Sequence, residues 1–370
     1  MKQILSIFLT GALFIPMLQQ ITGRLTIRPL HGDIVIVERP ALNWNNWIKG
    51  SYQQQADEYL KANYGCQPFF IRLNNQIQYS LFNKIKAKNV IEGKEGYLYE
   101  ENYIKAYFGT DFIGDDSVSI RINNLIRLRD TLQKSGTELL IILAPGKGSF
   151  FPEYFPDNWK NVKKDRTNHE AYKTQLSKSN LHFIDMKTWI DGMKDTSRYP
   201  LFPKCGIHWS KYGEYLAADS LIKYINHNHL AKVGGMRLDK IEISEKNKDG
   251  DYDIGEGMNL LCDLNTYPMA YPKYDFDTIS KEKNDRILMI SDSYYWELFN
   301  KGMSDKSFGR GQFWFYNIQI YPDSYDHQLL TTDLDNYVTE LSRNKLVILM
   351  STDANLYRFP FNVDSYTFGK

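Results

Sequence analysis

The chain has 370 residues, 42% of them apolar, which is enough for one large core or a core with a smaller helical subdomain. Lysine and arginine (45) almost balance aspartate and glutamate (44), so the formal charge of +1 offers no broad field for nucleic acid or an anionic surface. Three cysteines, Cys66, Cys205 and Cys262, fit an exported protein with at most one disulfide, and no spacing resembles a zinc site.

The N-terminus opens with Lys2 and an apolar run from Ile4 to Leu18, closed by Gln19 and Gln20. That layout predicts an export signal, either cleaved or retained as a single anchor. The Pro- and Trp-rich stretch 27–52 reads as a connector. From Ser51 to Lys86, apolar residues recur three and four apart on either side of a break at Gly65 to Pro68, which predicts two helices. "EGKEGYLYE" carries a hairpin signal around Gly93 to Gly96, with Tyr97 and Tyr99 expected to point outward from Leu98.

From Ile120 the pattern changes to helices alternating with apolar strands. "INNLIRLRDTLQKSG" predicts an amphipathic helix; "TELLIILAP" and "RILMISDS" predict buried strands, as does "KLVILMSTD"; "LHFIDMKTWI" predicts a strand followed by a loop; and "KYGEYLAADSLIKYINHNHL" predicts a helix. This alternation implies a three-layer α/β domain with a mostly parallel sheet. Ligands of such sheets gather at the carboxyl ends of the strands, here "APGKGSF", "SDSYY" and "STDANLY". The acid-rich "KNKDGDYDIG" lacks the spacing of an EF-hand and reads as a solvated polar loop.

The serine turn is the most informative of these ends. A strand that stops at Ser291-Asp292-Ser293 and runs into a helix places a hydroxyl beside free backbone N–H groups, which could serve an oxyanion; Ser and Asp are also ordinary helix N-caps. A serine nucleophile needs a base, and His208 in "GIHWSKYG" is the histidine with an organised context. Cys205 is too close in sequence, on an irregular loop, to make a convincing Cys-His pair. His227 and His229 sit at a helix end, and His31, His169, His182 and His327 show no partner pattern.

Four segments in order, "GKEGYLY", "IILAPGKGSFFPEYFP", "GIHWSKYG" and "MISDSYY", together resemble the SGNH-hydrolase-like domains of exported polysaccharide O-acetyltransferases, the AlgJ/AlgX-like family with a D-x-H-W signature. The sequence thus divides into a signal anchor or signal peptide over 1–23, a connector and helical segment over 24–89, and a part over 90–370 for which the resemblance implies an SGNH-hydrolase-like α/β domain. The resemblance also implies Ser293 as nucleophile, His208 as general base, a polysaccharide acceptor in the cell envelope or periplasm, and acetyl delivered by a multispanning membrane O-acyltransferase, with no metal or soluble cofactor. Lys147, Tyr294 and Asn355 are candidate substrate contacts. One departure stands out: the family's aspartate two residues before the histidine is Gly206 here. Three resolutions are open, namely an acid from elsewhere (Asp353 or Asp185), a backbone carbonyl on the imidazole, or a non-catalytic glycan-binding or scaffold protein.

Overall fold

The computed structural model describes residues 2–32, 37–279 and 286–368; residues 33–36, within the expected connector, lie outside the described residues. The chain divides into two compact units, one of residues 1–88 with 254–264 and the other of residues 89–253 with 265–370.

The first unit contains helices α1 (Lys2–Thr22), α2 (Trp44–Ile48), α3 (Ser51–Ala62) and α4 (Gln67–Phe82). The break expected between α3 and α4 is present, with Cys66 in a left-handed conformation and Pro68 in the first turn of α4. α1 carries Pro16 and ends in polar residues, and among the described residues no helix is long and apolar enough to cross a membrane, so the expected anchor does not appear as a span. All three cysteines are free thiols, Cys66 and Cys205 buried and Cys262 exposed.

The second unit opens with the antiparallel hairpin β1 (Val90–Glu92) and β2 (Leu98–Glu100). Tyr97 and Tyr99 do not point into solvent as expected. Both are buried with Leu98, because Phe151, Tyr154 and Phe155 cover the other face of the hairpin; the Tyr97 and Tyr154 rings stack at 3.9 Å, and the Tyr99 hydroxyl donates to the Phe151 carbonyl at 2.7 Å.

There follow α5 (Glu101–Phe108), α6 (Asp115–Gln133), β3 (Glu138–Ala144), α7 (Lys147–Phe150), α8 (Asn168–Lys178), β4 (His182–Asp185), α9 (Met186–Asp191) and α10 (Lys211–His227). The expected loop after β4 is α9, capped by the Asp185 side chain on the Thr188 amide. Strands β5 (Met236–Ser244) and β6 (Met269–Phe276) form a separate antiparallel pair, with α11 (Asp253–Gly257) in the connection between them. The chain then runs through β7 (Ile287–Ser291), α12 (Trp296–Asn300), β8 (Phe313–Phe315), β9 (Gln319–Tyr321), α13 (Tyr337–Ser342), β10 (Leu346–Thr352) and α14 (Val363–Phe368).

Six strands form the main sheet in the order β4-β3-β10-β7-β8-β9, parallel throughout except for β8 with β9. The sheet is therefore mixed, with the parallel majority expected from the sequence. β10 enters last in sequence yet lies centrally, Ile348 opposite Leu140 on one side and Met289 on the other. All its residues are buried, so its sequence shows no alternation; Val347 and Leu349 join Leu139, Ile141 and Leu143 in one cluster beneath α6 and α8, while the alternate residues are buried on the opposite face. Because β3, β7 and β10 run the same way, their carboxyl ends lie along one edge of the sheet. Leu349→Ala should cost about 2–5 kcal/mol in a denaturant titration, whereas Ile120→Ala, on the exposed face of α6, should stay within about 0.5 kcal/mol.

Candidate active site

At that edge, β7 ends at Ser291, and a tight turn over Ser293–Tyr295 leads into α12. Asp292, fully buried, holds the turn in place. Its carboxylate accepts from the Tyr294 amide (3.2 Å), the Thr352 amide (2.9 Å), the Thr352 hydroxyl (2.8 Å) and the Asn355 side-chain amide (2.9 Å). The end of β7 is thereby tied to the end of β10, and Ser293 takes its position from the core of the sheet. The same bonding engages the Tyr294 amide, one of the N–H groups that the sequence suggested for an oxyanion.

His208 approaches from the segment before α10. Ser210 caps that helix, accepting from the Gly213 amide at 2.9 Å and donating to the Pro200 carbonyl at 2.7 Å, so the histidine enters from a fixed point. Its Nε2 lies 2.9 Å from Ser293 Oγ. Its Nδ1 lies 2.6 Å from the Asp253 carboxylate, whose other oxygen accepts from the Ile207 amide at 2.9 Å. The His208 side chain is 20% exposed and that of Asp253 30%, so the chain of contacts reaches solvent at its rim.

Asp253 was not foreseen. It lies in "KNKDGDYDIG", the segment read as a solvated loop. Instead residues 249–252 form a turn, with Asp251 fully buried, and Asp253 follows at the start of α11. The turn packs against the histidine segment at Gly206. A Cβ on that glycine would lie 2.5 Å from the Gly250 carbonyl oxygen, 2.8 Å from the Pro203 ring and 2.9 Å from the Asp251 carbonyl carbon. The glycine in place of the family's aspartate is thus the residue that lets a second acid come close. Its signal in the sequence was a pairing of two oddities, a missing acid at 206 and an excess of acids at 249–253, with Asp253 45 positions after His208.

The acids named from the sequence are engaged elsewhere. Asp353 is buried and accepts from the Ser149 hydroxyl; burial raises its pKa, partly offset by Lys187. Asp185 meets His169 at 2.9 Å, Lys173 at 2.8 Å and the Thr188 hydroxyl at 2.6 Å. Burial alone would raise the Asp185 pKa, but bonds to His169, Lys173 and Thr188 with the His169 charge lower it.

The three candidate substrate contacts are all buried. Lys147 is fully buried, donating to backbone carbonyls. Tyr294 is buried, its hydroxyl donating to the Ile207 carbonyl at 2.9 Å and its ring 4.9 Å from that of His208. Asn355 is buried between Asp292 and Arg358. All three support the site from behind.

Burial favours the neutral His208 ring, but the bond to Asp253 and the negative charges of Asp253, Asp292 and Glu100 outweigh it, so the pKa is raised. Cys205 is displaced the other way for a nucleophile: burial pushes its thiol up to about 11, which removes it from contention. The Tyr316 hydroxyl neighbours Ser293, whose hydrogen bonding favours the ionised phenol slightly. Burial and the Asp292 charge push that phenol up to about 12, so it stays a proton donor, and its ring lies under the Arg358 guanidinium at 4.0 Å. Among the described residues no group of His, Cys, Asp and Glu has the arrangement of a metal site.

The family model described as SGNH hydrolase-like domain, acetyltransferase AlgX, matches residues 90–287. The protein named Probable alginate O-acetylase AlgJ from Pseudomonas syringae pv. tomato is 23% identical over 201 residues, 54% of this chain and 48% of that protein. The chain spans about half the length of the curated relatives it matches. Among solved structures, the O-acetyltransferase domain of Pseudomonas putida AlgJ aligns at a TM-score of 0.47 with 16% identity, over 76% of this chain and 100% of that one. Pseudomonas aeruginosa AlgX aligns at 0.46 with 13% identity, over 76% of this chain and 68% of that one. With more than half of its length inside the family model, the chain belongs to the AlgX family of SGNH hydrolase-like domains.

Proposed function

We propose that this protein is an O-acetyltransferase of a cell-envelope polysaccharide, working through an acetyl-serine at Ser293. The observation that carries the reading is the continuous line from Asp253 through His208 to Ser293, with 2.6 and 2.9 Å between successive partners. Ser293 Oγ attacks the carbonyl carbon of an acetyl ester while His208 Nε2 takes its proton. Asp253 holds Nδ1 as the donor and offsets the charge of the imidazolium. Tyr316 donates to the oxyanion that forms, and collapse expels the donor alcohol, which leaves with the proton from His208. A sugar hydroxyl then gives its proton to His208 and attacks the acetyl-serine; collapse breaks the bond from Ser293 Oγ to the acetyl carbon, His208 returns the proton to Oγ, and the acetylated glycan departs.

The polysaccharide acceptor is proposed because the similar AlgJ proteins are named alginate O-acetylases. The N-terminal segment, read as an export signal, would bring the domain to the envelope, where a multispanning membrane O-acyltransferase would supply acetyl. The non-catalytic alternative rested on the missing acid at 206, and the contact of Asp253 with Nδ1 weakens that ground.

The direct test is intact-mass detection of an acetyl adduct together with turnover of a chromogenic acetyl ester. The adduct should vanish in Ser293→Ala, and no adduct or turnover with several acyl donors in the wild type would defeat the reading. Asp253→Asn should lower kcat roughly 10²–10⁴-fold with folding intact. Asp353→Asn should leave the His208–Ser293 geometry in place and fall far short of that loss.

Gly206 supplies a sharper outcome. Gly206→Asp, which restores the family motif, should reduce kcat rather than increase it, because the new Cβ meets the Gly250 carbonyl and pushes the Asp253 turn away. Equal or higher kcat in that variant would show that the local acid can take over.

The pH dependence follows from the raised His208 pKa. A general base must be neutral, so kcat/KM should rise with pH along a limb centred above the ordinary imidazole value of about 6.5. In Asp253→Asn that limb should move to lower pH as the imidazolium loses its partner. Tyr316→Phe should lower kcat about 10–10³-fold and leave the limb near its wild-type position.

A further inference from the structure

Lys147 opens α7, three residues beyond the end of β3, and none of its surface is exposed. Its Nζ donates to two carbonyls of one short segment, Lys204 at 2.7 Å and Gly206 at 2.8 Å. It also lies 5.3 Å from the centre of the Tyr99 ring and 5.9 Å from that of Tyr97. Among the described residues it makes no ion pair with a carboxylate. An amine without a counter-ion in such a place is costly to bury, and burial pushes its pKa down to about 7, against the weaker upward pull of Cys205 and Asp253. A methionine would fill nearly the same volume with no such penalty. The carbonyls at 204 and 206 are therefore what this lysine is suited to hold.

Those carbonyls flank Cys205 and stand just ahead of Ile207 and His208. Leu98 donates its amide to the same Lys204 carbonyl at 3.0 Å, and the Tyr294 hydroxyl takes the Ile207 carbonyl at 2.9 Å. The carbonyls at 204, 206 and 207 are thus each held by a donor from outside the segment, while the Ile207 amide donates to Asp253. An acid two residues before the histidine would share its loop, whereas Asp253 comes from a separate turn. Its alignment with Nδ1 depends on the loop being held from outside.

We propose that Lys147 is a positioning residue for His208: by gripping the carbonyls at 204 and 206 it sets the segment so that one Asp253 carboxylate spans the Ile207 amide and His208 Nδ1. The inference rests on the acyl-transfer reading for its kinetic consequence, though its geometric consequence does not.

The experiment compares wild type, Lys147→Met and Lys147→Ala by two readouts, ester turnover and the titration of the His208 ring followed by NMR. In Lys147→Met, kcat should fall about 10–100-fold with KM within about twofold, and the His208 midpoint should move down toward the ordinary imidazole value. Propylammonium added to Lys147→Ala should recover part of both, and tetramethylammonium, which has no N–H, should recover neither. If Lys147→Met does not fold, Lys147→Ala refolded with propylammonium gives the same comparison.

An unchanged His208 midpoint overturns the proposal, as does equal recovery with both amines. A rise in KM at constant kcat would also overturn it, marking a substrate contact. If the wild type turns over no ester, the acyl-transfer reading fails, while the NMR midpoint still decides whether Lys147 positions the ring.

Discussion

The site depends on one close approach of backbone to backbone. Residues 249–253 can bring a carboxylate to His208 only because Gly206 has no side chain, its absent Cβ leaving room for the Gly250 carbonyl. The approach yields two bonds from one group, since Asp253 takes the Ile207 amide with one oxygen and the imidazole with the other. A carboxylate fixed at both oxygens holds a ring better than one fixed at a single oxygen, and charge-assisted bonds of this kind are roughly twice as strong as neutral ones. The charge also acts at a distance, with Asp292 and Glu100 adding to the field that raises the His208 pKa.

Ser293 is held by different means. The Asp292 carboxylate joins the ends of β7 and β10 through three hydrogen bonds and takes a fourth from the Tyr294 amide within its own turn; Asn355, one of the donors, passes the constraint on to Arg358 and so to the ring of Tyr316. The serine turn is set by the sheet and the histidine segment by the hairpin, α7 and the Asp253 turn. The two assemblies meet at the 2.9 Å contact between Nε2 and Oγ. Tyr294 couples them, following Ser293 in sequence while its hydroxyl holds the carbonyl before His208. A shift in either assembly is therefore felt by the other, which suits a reaction in which a proton must pass between them in both directions.

The sheet was legible because β3, β7 and β10 are continuous apolar runs that end in polar turns, a pattern set by burial on both faces. The pairing of β5 with β6 was hidden: Lys240, Glu242 and Lys273 point outward and dilute the apolar signal. The outward placement of Tyr97 and Tyr99 failed because period-two reasoning assumes one wet face, and the aromatic residues after α7 cover it. Ser293 and His208 were named from their turns, but Asp253 was not, since strand-end logic favours acids such as Asp353 and Asp185. Those two meet their own partners, a hydroxyl in one case and a histidine and lysine in the other. Lys147 was named as a candidate substrate contact from its glycine-bearing loop at a strand end; only the three-dimensional packing of the hairpin over α7 reveals its burial.

The displaced acid shows what a short motif records. A serine-histidine-acid line is defined by positions around an imidazole, and the same positions can be filled from different points along a chain. In the D-x-H-W pattern the acid and the ring share a loop, so local backbone geometry suffices to align them. Here the acid is 45 residues away, and alignment needs a glycine at the crossing and carbonyl clamps on the histidine segment. The distant acid and the bare position at 206 belong together: a side chain at 206 would obstruct the turn, and without the turn a glycine there would leave Nδ1 without the Asp253 carboxylate. The empty position is in this sense part of the site, and the glycine is as specific to this arrangement as the carboxylate it admits.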